Sequence, residues 1–397
     1  MNVPRVALIG LGGYGAVHLQ HLRDFHRIGA VRFVAAVDFP PGLDRETAER
    51  CRTEGCQLFP GFDELLAAIP QLRLDFAVVP TPIHLHARMA VALVRAGVDV
   101  LVEKPLASTL EDARAINAAR QSTERMVAVG FQYLHAPEVI ALKQQILAGA
   151  IGSLRRLTVQ AAWPRSHAYY QRNSWAGRLR VGNDLVLDSP VSNAMSHFFM
   201  IMLFLAGREA FALANPRQVS AELYRAQDIE SFDTGVLRMM TPDGVKLDFY
   251  GTHSSREVNR PSLTIEGTAG SAEWVQDSHA RLVGASNEWT YSAAPESDTR
   301  ERMLRDVLAK RRGEPVFICT PEMATVHVAC VTELHRDAKI VTIPPEHLAS
   351  YQAQGVEFTY VPQLDQQLAR AAREGLSLAE AGASWAVQPH AMREQAG

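Results

Sequence analysis

Cysteine is scarce. The 397-residue chain carries four cysteines, Cys51, Cys56, Cys319 and Cys330, too few for a disulfide scaffold of this length. Cys51 and Cys56 lie close in sequence, but no second pair or histidine cluster completes a zinc pattern, so no metal is expected. Buried or indifferent thiols in a reducing compartment fit better. Long apolar runs are missing too. The longest, residues 198–206, has nine residues, about half of what a membrane span needs, and reads as a buried helix. Neither sign of charge dominates: 40 Lys plus Arg stand against 43 Asp plus Glu, a net charge of −3. That balance argues against a basic nucleic-acid binder or a polybasic membrane binder, while leaving room for an anionic small substrate. Repeats and low-complexity stretches are absent. A strand pattern begins so soon after Met1 that no signal peptide is expected before it, which points to the cytoplasm.

What is present is ordinary globular composition, 47% hydrophobic and 21% charged, enough for two or three domains with sizeable cores. Over the first 130 residues, short apolar runs alternate with helical patterns. The runs are Val6-Ala7-Leu8-Ile9, Phe33-Val34-Ala35-Ala36-Val37, Phe76-Ala77-Val78-Val79, Val98-Asp99-Val100-Leu101-Val102 and Met126-Val127-Ala128-Val129. Unbroken β-rich runs fit parallel strands buried on both faces, and the alternation implies a doubly wound parallel sheet. Beyond residue 130 the texture changes. A helix follows Pro137, with Val139, Leu142, Ile146 and Leu147 on one face. Strand-like segments follow at 154–162, 219–224, 235–240, 245–251 and 263–267, separated by turns such as Thr241-Pro242-Asp243-Gly244. This reads as an α+β domain with a large open, mostly antiparallel sheet. Residues 299–340 look helical, and 364–382 hold a last amphipathic helix. The expected domains are 1–130, 131–345, and a helical extension over 346–397.

Gly10-Leu11-Gly12-Gly13-Tyr14-Gly15 has the G-x-G-x-x-G spacing between a predicted strand and a predicted helix, the context in which that motif binds a dinucleotide. Gly10 permits the tight turn, Gly12 lets the backbone approach a pyrophosphate, and Gly15 lets helix and strand pack closely. The helix N-terminus offers N–H groups and partial positive charge to the phosphates. Asp38 ends the second strand, where a carboxylate binds ribose hydroxyls and repels a 2′-phosphate, so NAD is expected over NADP. Glu103-Lys104-Pro105 ends another parallel strand, at the edge where ligands bind in open α/β sheets. There Lys104 is a candidate proton donor or acceptor.

At these residues the chain resembles the Gfo/Idh/MocA family, named for glucose–fructose oxidoreductase and inositol dehydrogenase. The resemblance is carried by 10–15, by Pro80-Thr81-Pro82-Ile83-His84-Leu85-His86, by Glu103-Lys104-Pro105-Leu106-Ala107, by Gly149-Ala150-Ile151-Gly152 and by Gly267-Thr268-Ala269-Gly270-Ser271, covering about 3 to 345. It implies a Rossmann domain followed by an α/β domain whose open sheet often serves dimerisation, so a homodimer or homotetramer through that sheet is expected. It also places Pro80, Thr81, Pro82, His86, Glu103 and Lys104 beside the cofactor. For His86, packing or capping stays open as an alternative. Family enzymes commonly carry an Asp and, four residues later, a His in the second domain. Asp188 fits, but position 192 is Ser. With Ser189 as helix cap and Pro190 at the first helical position, Asn193 and His197 would share a helix face and stand in for the absent histidine. A hydrogen-bonded core role for His197 stays open. Trp163, Arg165, Tyr170 and Trp175 lie in an aromatic and basic segment suited to stacking on sugar rings, or to packing as a surface loop.

The expected chemistry is hydride transfer between NAD(H) and a secondary alcohol or ketone of a sugar, sugar acid or cyclitol. Lys104 would act as general acid/base, Asp188 would orient Lys104 or bind a substrate hydroxyl, and His197 would relay or share the proton. Two other readings stay open: an NAD-dependent glycoside-cleaving enzyme with transient oxidation, and a non-catalytic NAD-binding sensor. Residues 346–397 extend past the usual family length, with Tyr351, Phe358, Tyr360, Leu364, Leu368 and Trp385 as apolar anchors. They would form either an arm onto a neighbouring subunit or a cover over their own domain.

Overall fold

The structure, a computed structural model, describes residues 3–39, 45–285, 287–388 and 390–391. Two compact units emerge: Met1–Phe131 with Glu301–Val328, and Gln132–Arg300 with Ala329–Gly397. No helix among the described residues is long and apolar enough to cross a membrane.

The first unit is built on six parallel strands: β1 (Arg5–Ile9), β2 (Arg32–Val37), β3 (Gln57–Phe59), β4 (Phe76–Val79), β5 (Asp99–Val102) and β6 (Val127–Val129). Their order is β3-β2-β1-β4-β5-β6, which places the reversal of winding between β1 and β4 and opens the ligand crevice there. The apolar runs form strands because helices cover both faces. Val6, Leu8, Val78 and Leu101 are fully buried. The 131–345 block expected as one domain is interrupted. Met303, Leu304, Val307, Leu308 and Ile318 join the core around Val6, Phe33 and Leu101, because a helical face with those apolar residues finds its complement on the parallel sheet. Arg311 fixes that return by bonding Asp75 and Asp99.

The second unit carries a ten-stranded sheet. In spatial order its main path runs Glu288–Ser292, His279–Gly284, Gly270–Val275, Asn259–Gly267, Leu154–Ala162, Lys246–Thr252, Thr234–Met240, Gln218–Arg225 and Ile340–Thr342, with His390–Ala391 beside Gln218–Arg225. Most pairings are antiparallel. The exceptions are Leu154–Ala162 on Lys246–Thr252 and Gln218–Arg225 on Ile340–Thr342. The strands from 270 to 292 went unread in the sequence, since they are short and the outermost, Glu288–Ser292, buries no side chain. The Ser196–Ala206 helix is buried along its whole length and packs on one face of the sheet, where Phe199 meets Phe249 edge-on. On the helix after Pro137, Val139, Leu142 and Ile146 are buried as expected, whereas Leu147 is exposed.

The segment 346–397 departs from the expected helical extension. It opens with an antiparallel hairpin, Ala349–Ala353 with Val356–Tyr360. The helix that follows spans Leu364–Glu374 and stops at Gly375, whose φ of 72° ends the helix in the left-handed region. Leu364, Leu368, Ala371 and Trp385 pack on Tyr224, Val236 and Tyr250 of the sheet. The segment therefore covers its own domain. Residues 389 and 392–397 lie outside the described set.

Candidate active site

In the first unit the site grows from strand ends. Gly10 leaves β1 with φ 98° and Gly13 follows at φ 55°, conformations that favour glycine. A Cβ on Gly15 would stand 2.2 Å from the Gly10 carbonyl oxygen, so the Gly15–Arg27 helix can start this close to β1 only without a side chain there. A Cβ on Gly12 or Gly13 would meet nothing within 4 Å. The loop is thus closed against the protein and open on its outer side, which fits a pyrophosphate laid across the helix N-terminus. Tyr14 ends the loop, edge-on to His18 at 5.4 Å. Asp38 follows β2, its N–H held by the Phe59 carbonyl. Pro80, Thr81 and Pro82 follow β4, and Glu103 and Lys104 follow β5, so all the expected cofactor residues gather at one edge of this sheet.

Beneath that edge lies a buried pair. Glu103 Oε1 is 2.8 Å from His18 Nε2, and Glu103 Oε2 accepts from the Lys104 N–H at 3.0 Å. Burial by itself pushes the Glu103 carboxyl up. The His18 bond and charge, together with Lys104, outweigh it and leave the pKa below the usual range. The carboxylate is therefore a fixed anion tying the glycine-loop helix to the backbone that presents Lys104, which is itself half-buried. Sequence reading missed His18, although its signal was there: a histidine on the buried stripe Gly15, His18, Leu19, Leu22. His86 is almost fully buried, with ring nitrogens 2.9 Å from the Pro105 carbonyl and 2.8 Å from that of Thr81. Both nitrogens face backbone carbonyls, of which a neutral ring can donate to one, so its service to a cofactor would run through the turns it contacts. Burial pushes its pKa down against those carbonyls.

In the second unit, Asp188 follows Leu187, which sits at φ 53°. Its Oδ2 accepts the Gly177 N–H at 2.6 Å and its Oδ1 the Asn193 side-chain amide at 2.8 Å. A crevice of about 10 Å³ lies among Tyr169, Tyr170, Asp188, Asn193 and His253, room for one water at most. The expected helix over Ser189–His197 does not form. Residues 189–195 are turns, and helix begins only at Ser196. Ser192 Oγ donates to the Leu187 carbonyl at 2.6 Å and accepts the Ser189 N–H at 2.9 Å, so the hydroxyl takes over bonds that a helix would have used. Asn193 and His197 consequently do not share a helical face. Asn193 turns to Asp188. His197 stands in the first helical turn, 8% exposed and edge-on to Tyr133 at 5.4 Å, and is not among the residues lining the crevice.

The aromatic and basic segment is ordered by cation–π contacts. Arg165 and Arg172 flank the Tyr169 ring at 4.6 and 3.5 Å, and their guanidinia also approach Trp163 and Trp175 at 5.2 and 5.3 Å. His253, a further residue the sequence reading passed over, bonds the Trp163 carbonyl at 2.8 Å. Burial first, then the charge of Arg165, pushes its pKa down to about 3. Trp163, Arg165, Tyr170, Trp175, Asp188 and Asn193 thus belong to one neighbourhood of the second unit, whereas Lys104 belongs to the first.

Comparison with known proteins gives this geometry its kinship. Residues 4–131 match the family model described as oxidoreductase family, NAD-binding Rossmann fold, and 139–273 match the GFO/IDH/MocA C-terminal domain. The chain belongs to the GFO/IDH/MocA family of oxidoreductases. Its first unit is that family's NAD-binding Rossmann domain. Among curated relatives, Inositol 2-dehydrogenase 4 of Saccharopolyspora erythraea is 30% identical over 219 residues, 54% of this chain and 58% of that protein. A dTDP-3,4-didehydro-2,6-dideoxy-alpha-D-glucose 3-reductase of Streptomyces violaceoruber is 32% identical over 130 residues, 32% of this chain and 37% of that one. The chain therefore spans only 37–58% of the length of such relatives. Among solved structures, the WlbA dehydrogenase from Bordetella pertussis in complex with NADH and UDP-GlcNAcA superposes with a TM-score of 0.68 at 21% identity, covering 84% of this chain and 96% of that one. A 3-ketoreductase from Actinomadura kijaniata in complex with NADP and TDP-benzene gives 0.68 at 17% identity, covering 86% and 100%. These likenesses show the shared fold.

Proposed function

We propose that this protein is an NAD-dependent oxidoreductase that transfers a hydride to or from a secondary alcohol or ketone of a sugar, sugar acid or cyclitol. The observation that carries the reading is the Glu103–His18 pair locking the turn that presents Lys104 at the ligand edge of a parallel sheet. Gly10, Gly12, Gly13, Tyr14 and Gly15 would hold the pyrophosphate, and Asp38 the ribose hydroxyls, with Pro80, Thr81 and Pro82 beside them. The dinucleotide supplies the hydride chemistry when bound. This chain's part is to fix the substrate and move one proton at the Lys104 amine, while Asp188 and Asn193 orient a substrate hydroxyl. Trp163, Arg165, Tyr170 and Trp175 would shape the substrate side, and His197 would support the relay from behind. Assembly as a homodimer or homotetramer through the sheet belongs to the same reading.

The test is a screen of purified protein against sugars, sugar acids and inositols, following NADH and NADPH absorbance. Lys104→Met should lower turnover by about 10²–10⁴-fold, the usual weight of a general acid/base; near-normal turnover would remove Lys104 from the role. One observation favours a second reading, a nucleotide-binding sensor: both Asp188 oxygens are already engaged within the protein. Tight NADH binding with no turnover across the whole panel would favour the sensor.

A further inference from the structure

A groove of about 890 Å³ opens in the second unit, within the roughly 300–1,000 Å³ of small-molecule sites. Three pieces of chain wall it. The first is the short helix His167–Gln171 with the turn after it, which contributes Tyr170, Asn173 and Arg178; the second is the turn carrying Gln227 and Asp228; the third is the C-terminal hairpin, with Ser350 and Thr359. The hairpin is fastened in place. His167 Nε2 lies 2.9 Å from Thr359 Oγ1, and the Gln227 amide donates to the Thr359 carbonyl at 2.8 Å. The extension that covers the sheet thus also builds a wall beside the substrate segment.

The lining specifies a ligand class. Its polar groups are mostly amides and hydroxyls, the groups that exchange hydrogen bonds with a polyol. Arg178 is paired with Glu230 at 2.8 Å and His167 lies 3.7 Å from Glu357, and Asp228 adds a negative charge, so the lining suits a neutral ligand better than a phosphate or carboxylate. Tyr170 lines both this groove and the crevice of Asp188 and Asn193. Its hydroxyl is sealed from solvent with no hydrogen-bond partner among the described residues, so what Tyr170 offers the groove is the rest of its ring.

We propose that the groove is a second saccharide subsite, taking a neutral glycosyl unit joined to the ring whose hydroxyl Asp188 and Asn193 would orient on the other side of Tyr170. The substrate would then be a glycoside or disaccharide rather than a free monosaccharide. This rests on the oxidoreductase reading for the reacting ring, but binding tests it separately. Titration of the wild-type protein with maltose, cellobiose and melibiose, against glucose and galactose as single-ring controls, should show at least one disaccharide bound tenfold or more tightly than the single rings. Ser350→Trp, on the exposed side of the hairpin, fills the groove. It should weaken that disaccharide tenfold or more, leaving the single rings and the thermal midpoint unchanged. Disaccharides bound no better than single rings, or bound equally by Ser350→Trp, would overturn the subsite. A bound disaccharide that yields no NADH would establish the subsite and count against the redox reading instead.

Discussion

Glu103 shows how much one buried charge can organise. Its carboxylate is 4% exposed, and its stability as an anion depends on His18 and the Lys104 N–H. His18→Leu would leave it short of a partner. Such a loss costs about 3–5 kcal/mol, readable as a lower urea midpoint together with weaker NADH binding. Gly130, just after β6, guards the same group. A Cβ there would lie 2.7 Å from Glu103 Oε1. Because that oxygen is held by His18, it cannot simply swing away. Gly130→Ala should cost about 1–3 kcal/mol by chemical unfolding, a large effect for one methyl group.

At the scale of elements, the turn over residues 189–195 is the instructive case. Ser189, Pro190 and a following apolar run read as a helix start. Two serine hydroxyls bonded to nearby backbone instead delay the helix to Ser196. Ser192 is 3% exposed, so the position where the family usually carries histidine is filled by a side chain already committed to backbone. Ser192→His should therefore destabilise the second unit by about 1–3 kcal/mol through overpacking and the lost bonds. It should not raise activity; a gain in turnover with unchanged thermal midpoint would contradict this.

At the scale of the whole chain, two expectations follow. Trp385 meets Tyr224 edge-on at 4.9 Å and is 7% exposed. Trp385→Ala should cost about 3–5 kcal/mol in chemical unfolding, since it opens the cover over Tyr224 and Tyr250. The second expectation is acid sensitivity. His253 is held neutral, with its pKa pushed down to about 3 from 6.5. The unfolded chain therefore takes up this proton at a higher pH than the folded one. Stability should fall as pH drops from about 6.5 toward 3, by at most about 1.4 kcal/mol per pH unit for this one group. Comparing urea midpoints at pH 7.5 and pH 5 for wild type and His253→Gln checks this; an equal slope in both would clear His253 of the effect.

The sequence by itself determined the Rossmann unit, its glycine loop and the Glu103-Lys104-Pro105 turn. Those signals are local: an apolar run buried on both faces, a glycine where no Cβ fits, a turn at a strand end. Tertiary structure decided what depends on residues far apart in the chain. It placed His18 under Glu103, returned Glu301–Val328 to the parallel sheet, and laid the 349–360 hairpin against the 167–178 segment. Each of these partnerships exists because a buried polar or apolar surface needs a complement, and spacing along the chain does not reveal which distant residue supplies it.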